Sequence, residues 1–227
     1  MFDKIKLKIL LNKYLQKSHY LKLLIDTFEL NNYSYGIVGG FVRDCLLNND
    51  IRDIDIIVDV KFEEILYLLN KYNIKYKHNT FKGLKIYDKN ADIIIDLWSL
   101  SDHRPFTQGY FEKSWKNIPR SNYTNDGGCV WLPIENKLYL GKTKQLIKNK
   151  IVDFYDLHFF QINNIDNKHI TATKLLNYYT NDRFKLSKSC IIFLKKYLSK
   201  QRHVTSVKRF AKENGYDIDI NDFMKRS

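Results

Sequence analysis

The stretch Arg52-Asp53-Ile54-Asp55-Ile56 constrains this chain more than any other. In an extended strand successive side chains point to opposite faces, so the alternation sends Asp53 and Asp55 to one side and Ile54 and Ile56 to the other. The isoleucines then need a core behind them, and the aspartates need a polar cleft in front. Two carboxylates one strand repeat apart, roughly 6 to 7 Å between Cα atoms, can converge on a pair of Mg²⁺ ions of the kind that activates a hydroxyl and steadies a leaving pyrophosphate.

The neighbouring residues support a phosphate site. Tyr35 to Val38 reads as a short apolar strand, Gly39-Gly40 as a turn, and Phe41 to Leu47 as a helix. Glycine amides at a helix start are unobstructed and meet the positive end of the helix dipole, so they can hold a phosphate. Arg43 follows one turn later, where its fork can grip a triphosphate or pair with Asp44. A third carboxylate is wanted on a neighbouring strand. Asp92 to Leu97 offers Asp92 and Asp96 at its two ends, and Asp96 at the carboxyl end is the better placed.

Other nucleotide and metal folds are disfavoured. The glycines at 36, 39 and 40 do not form a dinucleotide fingerprint, no Gly-Lys-Ser/Thr ending marks a P-loop, and nothing after Asp55 completes an EF-hand. The six histidines show no ligand spacing, and Cys45, Cys129 and Cys190 form no CxxC pair, which fits a reducing cytoplasmic setting. The chain shows no cleavable leader and no apolar run of about 20 residues, so neither secretion nor a membrane span is expected.

Along the 227 residues the pattern predicts an α/β (α+β) protein with a mixed sheet flanked by helices. Residues 1–33 read as a helical segment packing on the sheet, 34–150 as the α/β domain and 151–227 as a helical C-terminal region. Further strands are expected at Ile74 to Tyr76, Leu84 to Tyr87 and Asp92 to Leu97, a helix at Phe62 to Tyr72, and a hairpin at Val130 to Leu140. The stretch Ser101 to Asn117 reads as a loop or helix carrying Trp115 over the sheet edge. The excess of 38 Lys and Arg over 25 Asp and Glu, formally +13, favours a polyanionic partner.

The segment from Ile37 to Leu47, followed by Asp53-Ile-Asp-Ile56, resembles the head signature of poly(A) polymerases and class II CCA-adding enzymes, GGxVRDxLL and then DxD. The resemblance implies that Gly39, Gly40 and Arg43 approach a nucleoside triphosphate, that Asp53 and Asp55 bind the metals, and that Asp96 is the supporting acid. Pro119 to Asn125 is similar to the family's RRDFTxN segment, with Arg120 kept, Ser121 for the second arginine and Asn122 for the aspartate. Thr171 to Ser187 resembles the neck helix, where the family's base-selecting arginines fall on Lys174 and Asn177 and the acidic partner is absent. The implied activity is metal-dependent nucleotidyl transfer from a nucleoside triphosphate, with two Mg²⁺ ions, to a hydroxyl acceptor, an RNA 3′ end and tRNA first. A protein or small-molecule hydroxyl, and a catalytically silent RNA-binding module, are the alternatives.

Overall fold

The computed structural model of the chain describes residues 4–79, 83–163, 167–181 and 183–226. They divide into two compact units, one of Met1–Ser121 with Gly127–Gly141 and the other of Asn122–Asp126 with Lys142–Ser227.

The first unit is built on seven strands: β1 (Tyr35–Val38), β2 (Asp53–Val58), β3 (Lys77–His78), β4 (Leu84–Asp88), β5 (Ile93–Ser99), β6 (Val130–Leu132) and β7 (Lys137–Tyr139). They form one mixed sheet in the order β3-β4-β5-β2-β1-β6-β7, in which β2 and β5 run parallel and every other pair antiparallel. Helices α1 (Lys4–Lys17), α2 (His19–Leu30), α3 (Gly40–Leu47) and α4 (Phe62–Lys71) supply the helical layer. Their apolar stripes, Leu7 and Leu11, Leu21 to Phe28, Phe41, and Ile65 with Leu69, are buried together with Ile37, Ile54, Ile56, Ile86, Ile95 and Leu97 of the sheet. This is the alternation expected of strands with one face on a core.

The opposite sheet face has an apolar half. Ile57, Leu100, Ile118, Val130 and Leu132 form a buried cluster, joined by Val38, Trp98, Phe106, Trp115 and Tyr139. The stretch from Ser101 onward is a short helix, α5 (Arg104–Thr107), and 3-10 turns at Trp115–Asn117 and Pro119–Ser121. Trp115 lies over β1, where Gly36 leaves it room: a Cβ there would stand 2.7 Å from Val130 and 3.0 Å from the indole.

One expected strand is absent. At Ile74 to Tyr76 the chain is still closing α4: Asn73 adopts a left-handed φ of 54° and the Ile74 amide donates to the Leu69 carbonyl at 2.8 Å. That bond commits the backbone to the helix end, with buried Ile74 as its apolar plug, so sheet pairing starts only at Lys77.

The second unit is helical, with α6 (Thr143–Asn149), α7 (Leu157–Asn163), α8 (Lys168–Thr180), α9 (Lys188–Leu198), α10 (Gln201–Glu213) and α11 (Ile220–Arg226), and a parallel pair of two-residue strands, β8 (Ile151–Val152) and β9 (Lys185–Leu186). Its polar groups are matched internally. Asp126 accepts from the hydroxyls of Thr124 and Tyr178, and Asp153 from those of Ser187 and Ser189. Asn125, fully buried, bonds to the backbone of Ile151 and Asp153. Among the described residues of either unit no helix is long and apolar enough to cross a membrane.

In the first unit His103 latches the α5 stretch. The Ser121 hydroxyl donates to the Ile118 carbonyl at 2.7 Å, which leaves its oxygen to accept from His103 Nε2 at 2.8 Å. Burial pushes the imidazole down from 6.5 to about 4. Below the ordinary value the unfolded chain therefore takes up a proton that the folded chain refuses. The stability gained by keeping this ring neutral is complete above 6.5 and is lost as the pH falls toward 4. Urea denaturation at about pH 7.5, 6 and 4.5 checks this. The wild type is expected to lose stability with a slope approaching one proton more than His103→Gln, so that the gap between the two narrows in acid.

Candidate functional site

The charged half of that sheet face starts at β2. Ile54 and Ile56 are wholly buried, whereas Asp53 and Asp55 are half-buried on the other face, as the alternation requires. Pairing then fixes their surroundings. On one side Asp55 lies opposite Val38 of β1, so the Gly39-Gly40 turn that follows Val38 passes directly over the two carboxylates. On the other side Asp55 lies opposite Asp96 of β5.

The turn is tight because of its glycines. Gly39 has φ 64° and ψ −125°, a conformation open in practice to glycine alone. Its amide donates to the Cys129 carbonyl at 3.1 Å, and a Cβ there would stand 3.3 Å from Asp55 Oδ2. A Cβ on Gly40 would stand 3.5 Å from Asp53 Oδ1 and 3.7 Å from an Arg43 guanidinium nitrogen. Gly39, at the N-cap of α3, has no side chain to offer the first amides of the helix. The start of α3, the positive end of the helix, therefore lies beside the carboxylate pair.

Arg43 is buried beside this seat with its fork on Asp44, Nε to Oδ1 at 3.0 Å and Nη2 to Oδ2 at 2.5 Å. Asn49 adds a bond to the same carboxylate at 3.3 Å. The Arg43–Asp44 pair foreseen as a rival to phosphate binding thus exists, and it is interior rather than a surface ion pair. Both partners are anchored, because removing either would strand a buried charge at a cost of about 3–5 kcal/mol.

Asp96 is buried and doubly held. Asn79 Nδ2 donates to Oδ1 at 3.1 Å, and Lys85 Nζ lies 3.3 Å from Oδ2. Asn79 is itself oriented by accepting from the Gly83 amide at 2.8 Å. Asp92, the other candidate at this strand, is exposed in the preceding turn with φ 49°, where the Tyr87 hydroxyl donates to it. The sequence pattern alone does not single out Asn79 or Lys85. The alternation of Leu84, Lys85, Ile86 and Tyr87 is the available signal, since it already places Lys85 off the core face.

The structure therefore brings Asp53, Asp55, Asp96, Gly39, Gly40 and Arg43 to one place. Arg120 is exposed, and its guanidinium lies over the Phe111 ring at 5.0 Å. Lys174 is exposed on α8 of the other unit, and Asn177 one turn on accepts from Asn181. Among the described residues no group of three or more His, Cys, Asp or Glu is clustered to hold a metal ion. A pair of hard oxygen donors beside a phosphate seat nevertheless fits Mg²⁺, which is commonly bound by one or two carboxylates together with substrate phosphates.

No curated protein sequence matches the chain. Among solved structures, a CCA-adding enzyme in complex with CTP superposes with a TM-score of 0.65 at 17% identity, over 96% of this chain and 50% of that one. The CCA-adding enzyme of Thermotoga maritima complexed with tRNA gives 0.55 at 18% identity, over 83% and 42%. A tRNA nucleotidyltransferase with a primer tRNA and an incoming ATP analog gives 0.54 at 16%, over 86% and 62%. The chain spans about half the length of these proteins, and at such identities the likeness is one of fold. The family model described as the poly A polymerase head domain matches residues 35–106, which run from β1 to α5 and include Gly39, Gly40, Asp53, Asp55 and Asp96. Residues 35–106 of this chain therefore match the poly A polymerase head domain, within a fold shared with CCA-adding enzymes.

Proposed function

We propose that the chain is a metal-dependent nucleotidyltransferase that moves a nucleotidyl group from a nucleoside triphosphate to an RNA 3′ end, with tRNA the first candidate. The observation that carries this reading is the placement of Asp53 and Asp55 on one strand face against the Gly39 and Gly40 backbone, with Asp96 in register on the next strand.

The amides at the start of α3 hold the triphosphate, and Arg43 adds positive charge beside them. Asp53 and Asp55 would hold two Mg²⁺ ions, which would supply charge neutralisation for the attacking oxygen and the leaving pyrophosphate. Asp96 orients the acceptor hydroxyl and takes its proton. A carboxylate has about four lone-pair positions, and two of those on Asp96 are used by Asn79 and Lys85. The hydroxyl oxygen forms the new bond to the α-phosphorus, the bond to the bridging oxygen breaks, and pyrophosphate leaves with the electron pair. The likeness to enzymes solved with CTP, ATP and tRNA supports this choice of substrates. Arg120 and Lys174 remain assigned to nucleotide binding by resemblance alone.

Incorporation of each radiolabelled triphosphate into total RNA tests the reading. Label on nuclease-sensitive material is expected, with Asp53→Asn or Asp55→Ala lowering it at least about 100-fold while the fold is kept. Label only on protease-sensitive material would point to a protein hydroxyl as acceptor, and none from any triphosphate would end the proposal.

A second variant probes the turn. Gly39→Ala must adopt the same positive φ and sets a methyl against Asp55 Oδ2. It is expected to cost about 1–3 kcal/mol in urea denaturation. Nucleotide incorporation should fall by more than that loss of stability explains, because the relieving movement displaces Asp55.

A further inference from the structure

The register of the sheet places one residue from each strand in a single cross-strand row on the site face: Lys77 of β3, Lys85 of β4, Asp96 of β5, Asp55 of β2, Val38 of β1, Val130 of β6 and Tyr139 of β7. The carboxylates occupy its centre. Beyond Asp96 the row continues with two cations, about 5 and 10 Å farther on by the usual strand spacing. Lys77 and Lys85 are direct cross-strand partners, a like-charge pairing that costs stability. Lys85 reaches Asp96 with a side chain still 44% exposed, and Lys77 makes no ion pair among the described residues. Tyr87, two residues beyond Lys85 and so on the same face, is 50% exposed.

From this we infer that Lys77 and Lys85 form a phosphate-binding strip that guides the acceptor RNA strand to the hydroxyl position beside Asp96, with the exposed Tyr87 ring as a platform for one base. The inference rests on the nucleotidyl-transfer reading and specifies where its acceptor lies. Two lysines set opposite each other work against the fold, and Asp96 answers only Lys85 of the two, while the row aims both at the third carboxylate rather than at the glycine seat. A single strand suits the place: its phosphates take the cations, and its bases stack on an aromatic face without regard to sequence. The competing account is that Lys77 only protects the sheet edge from pairing with another chain, since β3 is an edge strand. That account does not cover Lys85, which lies on an inner strand.

Charge reversal separates the two. Lys77→Glu keeps a charge on the edge and creates a cross-strand ion pair with Lys85, so its melting temperature should equal or exceed that of the wild type. Binding of a labelled single-stranded RNA oligonucleotide to the full chain, followed by anisotropy over a salt series, should nevertheless weaken at least about threefold. The salt slope should fall by about 0.7, the share of one phosphate that the protein no longer neutralises. Lys85→Gln should show the same reduction, and Tyr87→Ala should weaken binding with the slope kept. Affinity for the nucleoside triphosphate alone is expected to stay the same in the Lys77 variant. Unchanged RNA affinity and slope in both lysine variants, or an equal loss for the free triphosphate, overturns the strip. If the wild type binds RNA through these lysines yet incorporates no nucleotide, the strip stands and the transfer reading falls.

Discussion

The site depends on the register of one central strand. β2 is paired on both sides, antiparallel to β1 and parallel to β5, and its side chains divide into a wholly buried pair of isoleucines and a half-buried pair of aspartates. A slip of one residue would drive Asp53 and Asp55 among the apolar side chains beneath the helices and turn Ile54 and Ile56 outward. The ions alone would cost several kcal/mol each, and each exposed isoleucine about 1.5–3 kcal/mol more. The hydrophobic alternation that holds the sheet in place is therefore also what aims the carboxylates. Fold and site share one determinant.

Given that register, the two halves of the site face impose different demands on the backbone. The apolar half needs Gly36 so that Trp115, Val130 and Leu132 can close over β1. The charged half needs Gly39 so that the chain can turn sharply enough to start α3 within reach of Asp55. Both glycines lie on the same short segment, three residues apart, and each serves by what its missing side chain leaves free. In the first case the space is filled by an indole. In the second it lets the start of a helix come close to two carboxylates.

Much of this was legible from single-residue periodicity. The period of two at Arg52 to Ile56 located the paired acids, the apolar run followed by Gly-Gly located the turn and helix, and the pattern at Leu84 and the apolar run at Ile93 located two more strands of the same sheet. What stayed hidden needed knowledge of neighbours in space. Lys85 reads as a surface lysine until pairing sets it beside Asp96, and Asn79 reads as a loop residue until the Gly83 amide orients it. The strand expected at Ile74 was lost to a left-handed Asn73, a choice that asparagine permits but does not announce. β8 and β9, two residues each, are too short to show any period. Arg43 shows the same limit from another direction, because its neighbour Asp44 was visible as a partner but the depth of the pair was not.

The three carboxylates of the site do not share the same surroundings. Asp96 is buried with a cation and an amide already on its oxygens, so its charge is partly balanced and its orientation fixed before any substrate arrives. Asp53 and Asp55 lie close to the glycine backbone that starts α3. A hydroxyl gains most from a carboxylate that cannot turn away. Packing alone thus gives acids of one chemical type different surroundings on a single sheet face.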